Sequence, residues 1–178
     1  MTFTGIPLMR FAVTFVCSGN TCRSAMAAAV LESLLAGSPV AEQVVVDSYG
    51  TGDWHVGEPA DPRALAVLAE HGLDASAHRA RVIPADLLSR SDLILCAEAR
   101  HRRRVSRLGV AGPGQVRLIR EFDPRSMAAG ELDLKDPYEG SLDDYRACFV
   151  DVTAACAGLM AALPGLLGNS AGHRGSQW

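Results

Sequence analysis

A cysteine and an arginine, Cys17 and Arg23, stand in one short segment between an apolar run and an alanine-rich run. A loop between a buried strand and a helix exposes backbone amides and a first helical turn, and these groups bind anions. The same partial positive charge lowers the pKa of a thiol placed there and so favours the nucleophilic thiolate. The guanidinium of Arg23 can hold two oxygens of a tetrahedral oxyanion in a bidentate fork. The spacing therefore predicts that Cys17 is a nucleophile and that Arg23 binds an oxyanion.

The residues around this pair allow the backbone to fold tightly around an anion. Gly19 and Asn20 are of types that tolerate left-handed backbone angles, and the Ser24 hydroxyl can donate a hydrogen bond to the sulfur. A Cys-x5-Arg spacing by itself also occurs by chance, with the cysteine buried at the end of a strand. The flanking strand and helix, together with the glycine, asparagine and serine, favour catalysis. Besides the pair, the predicted phosphate-binding loop comprises Ser18, Gly19, Asn20, Thr21, Cys22 and Ser24.

An acid is also needed if the leaving group is as basic as a phenolate, whose conjugate acid has a pKa of about 10. Three aspartates precede a proline: Asp61, Asp123 and Asp136. Asp61 is typical of a helix N-cap with proline in the first turn, and Asp123 follows a strand, where it can begin a loop. Residue type and spacing do not choose Asp136 over the other two.

Short apolar runs rich in β-branched residues alternate with helical runs, and this order predicts a single α/β domain with a parallel sheet. The predicted strands are residues 11–16, 44–46, 92–96 and 116–119, and the predicted helices are residues 24–36, 61–72, 98–108 and 144–163. We expect the last helix to end at Pro164, and residues 123–142 to form a loop long enough to indicate a function. Ligands bind beyond the carboxyl ends of strands in such sheets, where the loop after the first strand begins.

Length and composition bound the class of protein. The 178 residues suffice for one domain, and we assign residues 1–8 to a flexible extension, 9–168 to the domain and 169–178 to a disordered tail. The net charge of −3 argues against nucleic-acid binding, which needs a basic face. The apolar stretches at 11–16 and 154–167 are too short or too interrupted for a spanning helix of about 20 residues. We therefore expect no membrane insertion.

The cysteines indicate a reducing compartment. There are five of them, an odd number without the density of a disulfide scaffold. The first residues also lack the apolar segment and cleavage site of a signal peptide. We therefore expect a cytoplasmic protein with reduced thiols.

The segment Val16–Ser24 resembles the signature loop of the low molecular weight protein tyrosine phosphatases. Two further motifs match in order. Residues 50–63, followed by His78–Arg81, resemble the family's stretch after the second strand, and Lys135–Gly140 resembles its Asp-Pro-Tyr loop. The resemblance covers Arg10–Leu163 and implies a four-stranded parallel sheet flanked by helices, with no metal or cofactor.

The resemblance also implies a reaction. It is that of a protein tyrosine phosphatase, with a phosphocysteine on Cys17, the phosphate bound by Arg23, and Asp136 as general acid and then general base. Its partners are expected to be phosphotyrosine-containing proteins, among them a cognate tyrosine kinase. Two departures from the family are Ala25, where proline is usual, and Glu139, where many members have a second tyrosine. Neither departure removes a group that the reaction needs.

We expect several other residues to surround the loop. Trp54 and Tyr138 are candidate walls of a slot for a flat phenyl ring, the alternative for Trp54 being a partly buried core position. We expect His55 near the entrance of the slot. We expect His78 and Arg81 to be structural partners of the loop.

Two further groups have alternative interpretations. The run His101–Arg104 is typical of a solvated helix face, with docking of an acidic partner as the alternative. Cys22 is the candidate redox partner of Cys17, since a disulfide between them would shield the nucleophile from irreversible oxidation. The alternative is that Cys22 merely packs beneath the loop.

Two other functions stay open beside the phosphatase. Thiol-dependent arsenate reductases of the same fold resemble the loop but need two additional cysteines on a mid-chain segment, where this chain has only Cys96. Its other two cysteines, Cys148 and Cys156, fall on the last predicted helix. A non-catalytic phosphate-binding module is the second alternative, and it would be expected to lack the nucleophile, the arginine or the acid.

Overall fold

The computed structural model describes residues 10–174, and this part of the chain contains four strands and six α-helices. The strands are β1 Phe11–Cys17, β2 Val44–Gly50, β3 Leu93–Cys96 and β4 Val116–Leu118. The helices are α1 Arg23–Leu35, α2 Pro62–Glu70, α3 Leu87–Arg90, α4 Ala99–Ser106, α5 Pro124–Ala129 and α6 Leu142–Arg174. Short 3₁₀ turns at Ala41–Gln43 and Ile119–Phe122 precede β2 and follow β4.

The four strands form one parallel sheet in the order β2-β1-β3-β4, which confirms the predicted fold class. β1 pairs with β2 on one side and with β3 on the other. This central position explains its uncharged sequence, since Val13, Phe15 and Val16 have no exposed area. The strand order changes direction between β1 and β3, and ligands bind at the carboxyl edge next to such a point. Cys17, the last residue of β1, lies at this edge.

Helices cover both faces of the sheet. Alternate residues of β1 point to opposite faces, so Phe15 joins a cluster with Met26 of α1 and Leu159 of α6. Val16 joins a second cluster with Val105 of α4. Each side chain of this size that is buried contributes about 1.5–3 kcal/mol. The two clusters fix β1 from both sides, and the loop after it starts from a rigid strand.

The last helix is longer than the sequence predicted. The expected end at Pro164 is wrong, because α6 continues through it, and residues 169–174 of the predicted tail are helical. Proline removes one backbone hydrogen bond from a helix, but Leu163 beside it is fully buried and its packing stabilises that turn. The predicted extension at 1–8 and the last residues, 175–178, lie outside the described residues.

The same helix bears on the question of a membrane. Residues 142–169 form a helix long and apolar enough to span a bilayer, so the expectation that 154–167 is too interrupted for such a helix is wrong. The helix packs along α1 and α2, and Tyr145, Val152 and Leu163 on it are fully buried. Its apolar residues thus form one side of the core of the domain.

The predicted loop at 123–142 contains a helix and is to that extent wrong. Asp123 caps α5 by accepting hydrogen bonds from two backbone amides, at 3.0 and 3.3 Å, and Gly130 ends it with a φ of 72°. Asp-Pro followed by glycine is a start and stop pattern, but six residues are too few to show a helical period. The rest of the loop passes along the carboxyl edge of the sheet and carries Asp136 there.

Candidate active site

The loop between β1 and α1 folds around the sulfur of Cys17. The backbone N–H of Asn20 donates a hydrogen bond to Cys17 Sγ at 3.3 Å, and Ser24 Oγ lies 3.0 Å from the same sulfur. Asn20 has a φ of 58°, the left-handed conformation expected of it. Gly19 does not have a positive φ, contrary to expectation. A side chain there would lie 2.7 Å from the ring of His55, so the glycine leaves room for the wall of the site.

Four hydrogen bonds hold Asn20 in its conformation. Its Nδ2 donates to Ser24 Oγ and to Ser48 Oγ, each at 2.9 Å. Its Oδ1 accepts from the backbone N–H of Arg81 at 2.9 Å, and its carbonyl oxygen lies 2.6 Å from His78 Nε2. Burial lowers the pKa of His78, so a neutral ring donates to that carbonyl. His78 and Arg81 are therefore structural partners of the loop, as predicted.

Arg23 points into the same site although only 1% of it is exposed. Its Nη2 lies 2.5 Å from Asp136 Oδ2, and its Nη1 pairs with Glu98 and donates to the Leu134 carbonyl at 3.0 Å. Burial opposes the charge of the guanidinium, but the acidic groups facing it, first Cys17 and then the two carboxylates, raise its pKa overall. Arg23 is therefore a cation with a fixed orientation at the floor of the site.

Glu98 is a member of the site that the sequence analysis did not identify. It lies two residues after β3, at the carboxyl edge of the sheet. Besides Arg23 it binds Arg100, at 2.8 Å, and it compensates the buried charge at the floor of the site. An acidic residue two positions after a fully apolar strand was the signal available in the sequence.

Of the three aspartates that precede a proline, only Asp136 lines the cavity above Cys17. Its side chain is 36% exposed, and its second oxygen accepts the backbone N–H of Tyr138 at 3.2 Å. Asp61 accepts hydrogen bonds as the N-cap of α2, and Asp123 does so as the N-cap of α5. Both have structural partners away from the sulfur, so the geometry favours Asp136 as the acid.

A cavity of about 260 Å³ opens above the sulfur of Cys17. The phosphate-binding loop forms its floor, and its walls come from three separate segments, which supply Trp54, His55, Arg100, Asp136 and Tyr138. Trp54 is 62% exposed and Tyr138 is 46% exposed, so the alternative of a core position for Trp54 is wrong. Two exposed aromatic side chains beside an anion site suit a flat aromatic group that carries a negative charge.

The prediction that residues 101–104 form a solvated helix face is wrong for His101. This residue is only 2% exposed and lies on the inner side of α4. Its Nε2 lies 2.9 Å from Ser18 Oγ. That oxygen also accepts hydrogen bonds from Arg23 and Arg100, at 3.2 and 3.3 Å, so its proton is donated to His101. Burial, and then the charge of Arg23, lower the pKa of His101 to about 4, and the ring is the neutral acceptor that this network needs.

All five cysteines lie within the described residues and are free thiols. Cys22 lines the cavity and its Sγ lies 3.2 Å from the hydroxyl of Tyr145. Burial raises its pKa to about 11. Burial also raises the pKa of Cys96, at the end of β3, and of the two cysteines of α6 to about 12. These four thiols are therefore protonated at neutral pH.

Comparison with known proteins indicates the family of this chain. The family model for low molecular weight phosphotyrosine protein phosphatases matches residues 12–165. A low molecular weight protein-tyrosine-phosphatase of Streptomyces coelicolor is 44% identical over 157 residues, which cover 87% of this chain and 94% of that protein.

Solved structures show the same fold. A protein tyrosine phosphatase of Entamoeba histolytica superposes with a TM-score of 0.80, at 22% identity, over 87% of this chain and 97% of that one. The YwlE arginine phosphatase of Geobacillus stearothermophilus superposes with a TM-score of 0.74, at 27% identity, over 87% of this chain and 94% of that one. Since the family model spans most of the chain, the protein belongs to the low molecular weight protein tyrosine phosphatase family.

Proposed function

We propose that this protein tyrosine phosphatase hydrolyses phosphotyrosine in proteins through a phosphocysteine on Cys17. Membership of the family supports the reaction class. The observation that carries the mechanism is the convergence of Cys17, Arg23 and Asp136 on one cavity with aromatic walls. Arg23 and Asp136 are 113 positions apart in the chain, and the fold alone brings them within contact.

In the first step Cys17 Sγ attacks the phosphorus, and the sulfur–phosphorus bond forms as the bond from phosphorus to the tyrosine oxygen breaks. The loop amides and Arg23 bind the three remaining phosphate oxygens and stabilise their charge in the transition state. Asp136 donates its proton to the departing oxygen, so that tyrosine leaves as a neutral phenol. A positioned acid of this kind accelerates a reaction by about 10²–10⁴-fold.

In the second step water attacks the phosphocysteine. Asp136, now a carboxylate, takes a proton from the water as its oxygen bonds to phosphorus. The sulfur–phosphorus bond breaks, which releases inorganic phosphate and returns the thiolate of Cys17. Ser24 Oγ, 3.0 Å from the sulfur, donates a hydrogen bond to this leaving group.

Trp54 and Tyr138 support an aryl phosphate as the substrate, and one related structure is that of an arginine phosphatase. The test compares three peptides of one sequence that carry phosphotyrosine, phosphoserine or phosphoarginine. The assay contains no added metal and is repeated with a chelator. We expect phosphotyrosine to be turned over fastest and the chelator to change nothing. Faster turnover of phosphoarginine, or loss of activity with the chelator, would contradict the proposal.

The two alternatives to a phosphatase have less support. A thiol-dependent arsenate reductase passes oxidation to further cysteines, but Cys96 is fully buried at the end of β3. We therefore expect no thiol-dependent reduction of arsenate. A non-catalytic binding module would not need an acid, and Asp136 lies beside the cavity.

We further propose that Cys22 protects Cys17 by forming a reversible disulfide with it after oxidation. Both thiols belong to one loop and line one cavity, which supports this role. The five free thiols support a reducing, cytoplasmic location. There the substrates are proposed to be phosphotyrosine proteins, including a cognate tyrosine kinase.

A further inference from the structure

α4 carries a row of arginines that begins at the mouth of the cavity. Arg100, Arg103, Arg104 and the C-cap residue Arg107 stand at positions i, i+3, i+4 and i+7, which is one face of an α-helix. All four are exposed, whereas His101 on the other side of the helix is buried. We call these four residues the arginine stripe.

The charge of the arginine stripe is largely uncompensated. Arg100 pairs with Glu98 at 2.8 Å, but Arg103, Arg104 and Arg107 form no ion pair with any side chain described in residues 10–169. Like charges at these spacings repel one another and destabilise a helix. The chain as a whole has a net charge of −3, so this face differs in sign from the average surface. An anionic partner would relieve the repulsion.

The arginine stripe is continuous with the active site. Arg100 lines the cavity, and its Nη2 lies 3.3 Å from Ser18 Oγ in the phosphate-binding loop. Trp54 and Tyr138 line the same cavity from other segments of the chain, and the exposed Glu139 follows Tyr138. A peptide that leaves the cavity past Arg100 passes over the stripe.

The dimensions of the stripe suit an extended peptide. A helix rises about 1.5 Å per residue, so Arg107 lies about 10 Å beyond Arg100 along the axis. An extended chain advances about 3.3 Å per residue, so this length corresponds to about three residues. Every second side chain of such a peptide points the same way, at a spacing of about 6.6 Å, close to the rise between Arg103 and Arg107.

A cleft runs beside the stripe. Arg103 and Arg107 line it together with the loop before β4, and its volume is about 360 Å³. The peptide therefore has a wall to bind against as well as a row of charges.

We propose that the arginine stripe binds an acidic segment of the protein substrate, adjoining the phosphotyrosine that occupies the cavity. The proposal rests on the function proposed above, because the phosphotyrosine supplies the anchor. Carboxylates on alternate residues of the segment pair with the guanidinium groups, and the stripe selects substrates that have two or more acidic residues within a few positions of the phosphotyrosine.

The test uses three phosphotyrosine peptides that differ only in flanking residues: acidic on the amino side, acidic on the carboxyl side, or glutamine throughout. Wild type is compared with the double variant Arg103→Gln/Arg107→Gln. A double variant with the same change of charge, Arg10→Gln/Arg90→Gln, is the control. Both control residues are exposed and precede β1 and β3, so they belong to the amino edge of the sheet, opposite the cavity.

In wild type we expect one of the acidic peptides to have a kcat/KM about tenfold above the neutral peptide, mainly through KM, as two or three exposed ion pairs would give. The stripe variant should lose this advantage and the control should keep it. High salt should reduce the advantage, because the pairs are solvent-exposed. Equal kcat/KM for all three peptides in wild type, or an advantage that survives in the stripe variant, would overturn the proposal.

Two further measurements separate this proposal from others. All variants should hydrolyse para-nitrophenyl phosphate equally, since it does not reach the stripe. If wild type hydrolyses neither this compound nor the peptides, the phosphatase function fails, and fluorescence anisotropy of the same peptides then tests the stripe without turnover. Binding of duplex DNA or anionic vesicles that depends on the stripe, without a preference among the peptides, would assign the stripe to a different partner.

Discussion

Asp136 lies beside the cavity in which the tyrosine oxygen would leave. Removal of its carboxyl group should therefore slow the reaction more when the departing oxygen is more basic. Asp136→Asn should slow turnover of phosphotyrosine by about 10²–10⁴-fold. The effect on kcat/KM for para-nitrophenyl phosphate should be much smaller, because nitrophenolate needs no proton to depart. The measurement is kcat/KM for the two substrates, which reports the first step, since slow hydrolysis of the phosphocysteine lowers kcat for both.

Asp123→Asn is the matched control for this prediction. Asp123 caps α5, and asparagine is also a good N-cap. This variant should therefore keep both the stability and the kcat of wild type. An inactive Asp123→Asn beside an active Asp136→Asn would show that the acid has been assigned to the wrong residue.

His101 should make the folded protein sensitive to acid. The pKa of His101 is about 4 in the folded state and about 6.5 in the unfolded state, so the unfolded chain binds a proton first as the pH falls. The free energy of unfolding should be undiminished above pH 6.5 and should fall between pH 6.5 and 4, by about 3 kcal/mol at the lower end. Burial lowers the pKa of His78 as well, which acts in the same direction.

Urea unfolding at a series of pH values measures this dependence. His101→Gln should flatten the curve between pH 6.5 and 4. Ser106→Ala, a change at an exposed position of the same helix without a titratable group, should leave the shape of the curve as it is in wild type. An unchanged slope in His101→Gln would contradict the assignment of a buried neutral ring.

Cys22 should protect the nucleophile from peroxide. A sulfenic acid on Cys17 reacts with the Cys22 thiol to form a disulfide and release water, before a second oxidation makes the damage irreversible. Treated wild type should regain most of its activity with dithiothreitol, and Cys22→Ser should regain much less. A peptide map should show the Cys17–Cys22 crosslink.

The contact between Cys22 and Tyr145 gives this prediction a specific alternative. If Cys22 only packs against Tyr145, Cys22→Ser and wild type will recover equally and no crosslink will form. Cys96→Ser serves as the control, because a fully buried thiol at the end of β3 should not affect recovery.

At the scale of elements, the carboxyl end of β2 supports the phosphate-binding loop. A Cβ atom on Gly50 would lie 2.7 Å from the carbonyl oxygen of Ser18 and 3.0 Å from the carbonyl carbon of Gly19. Both are backbone atoms that cannot rotate away, so Gly50→Ala should displace the loop. A shift of about 1 Å in a reacting group costs about 10²-fold in rate. We expect such a loss of kcat/KM for para-nitrophenyl phosphate, with circular dichroism showing a folded protein.

Gly165→Ala is the control for Gly50→Ala. Gly165 lies in α6 with open space where a Cβ atom would be. Alanine there should keep the activity and stabilise the helix by up to about 1 kcal/mol. An unimpaired Gly50→Ala would show that β2 does not constrain the loop.

The elements around Cys17 were predictable because their signals are local. An uncharged β-branched run, a loop with Gly and Asn, and an alanine-rich run lie consecutively in the sequence. The continuation of α6 through Pro164 was not predictable, because it depends on the packing of Leu163 in the core. α5 was missed for another reason, since six residues are shorter than the period that identifies a helix.

At the scale of the whole molecule, the site brings together residues that are far apart in the sequence, so their spacing does not predict the contact. Ser18 and His101 are 83 positions apart, and Arg23 and Glu98 are 75 positions apart. His101 precedes three arginines, and this composition predicted exposure for the whole run. The packing of α4 on the sheet determines that the histidine is buried and the arginines are exposed.

The phosphocysteine on Cys17 can be detected directly in the intact protein. Asp136→Asn should still react with para-nitrophenyl phosphate, but without its base it should hydrolyse the intermediate slowly. Rapid acid quench followed by mass spectrometry should therefore find one phosphoryl group on the peptide that contains Cys17, and none on that peptide in Cys17→Ser. Undiminished turnover in Cys17→Ser, or a phosphoryl group on a different residue, would contradict the mechanism.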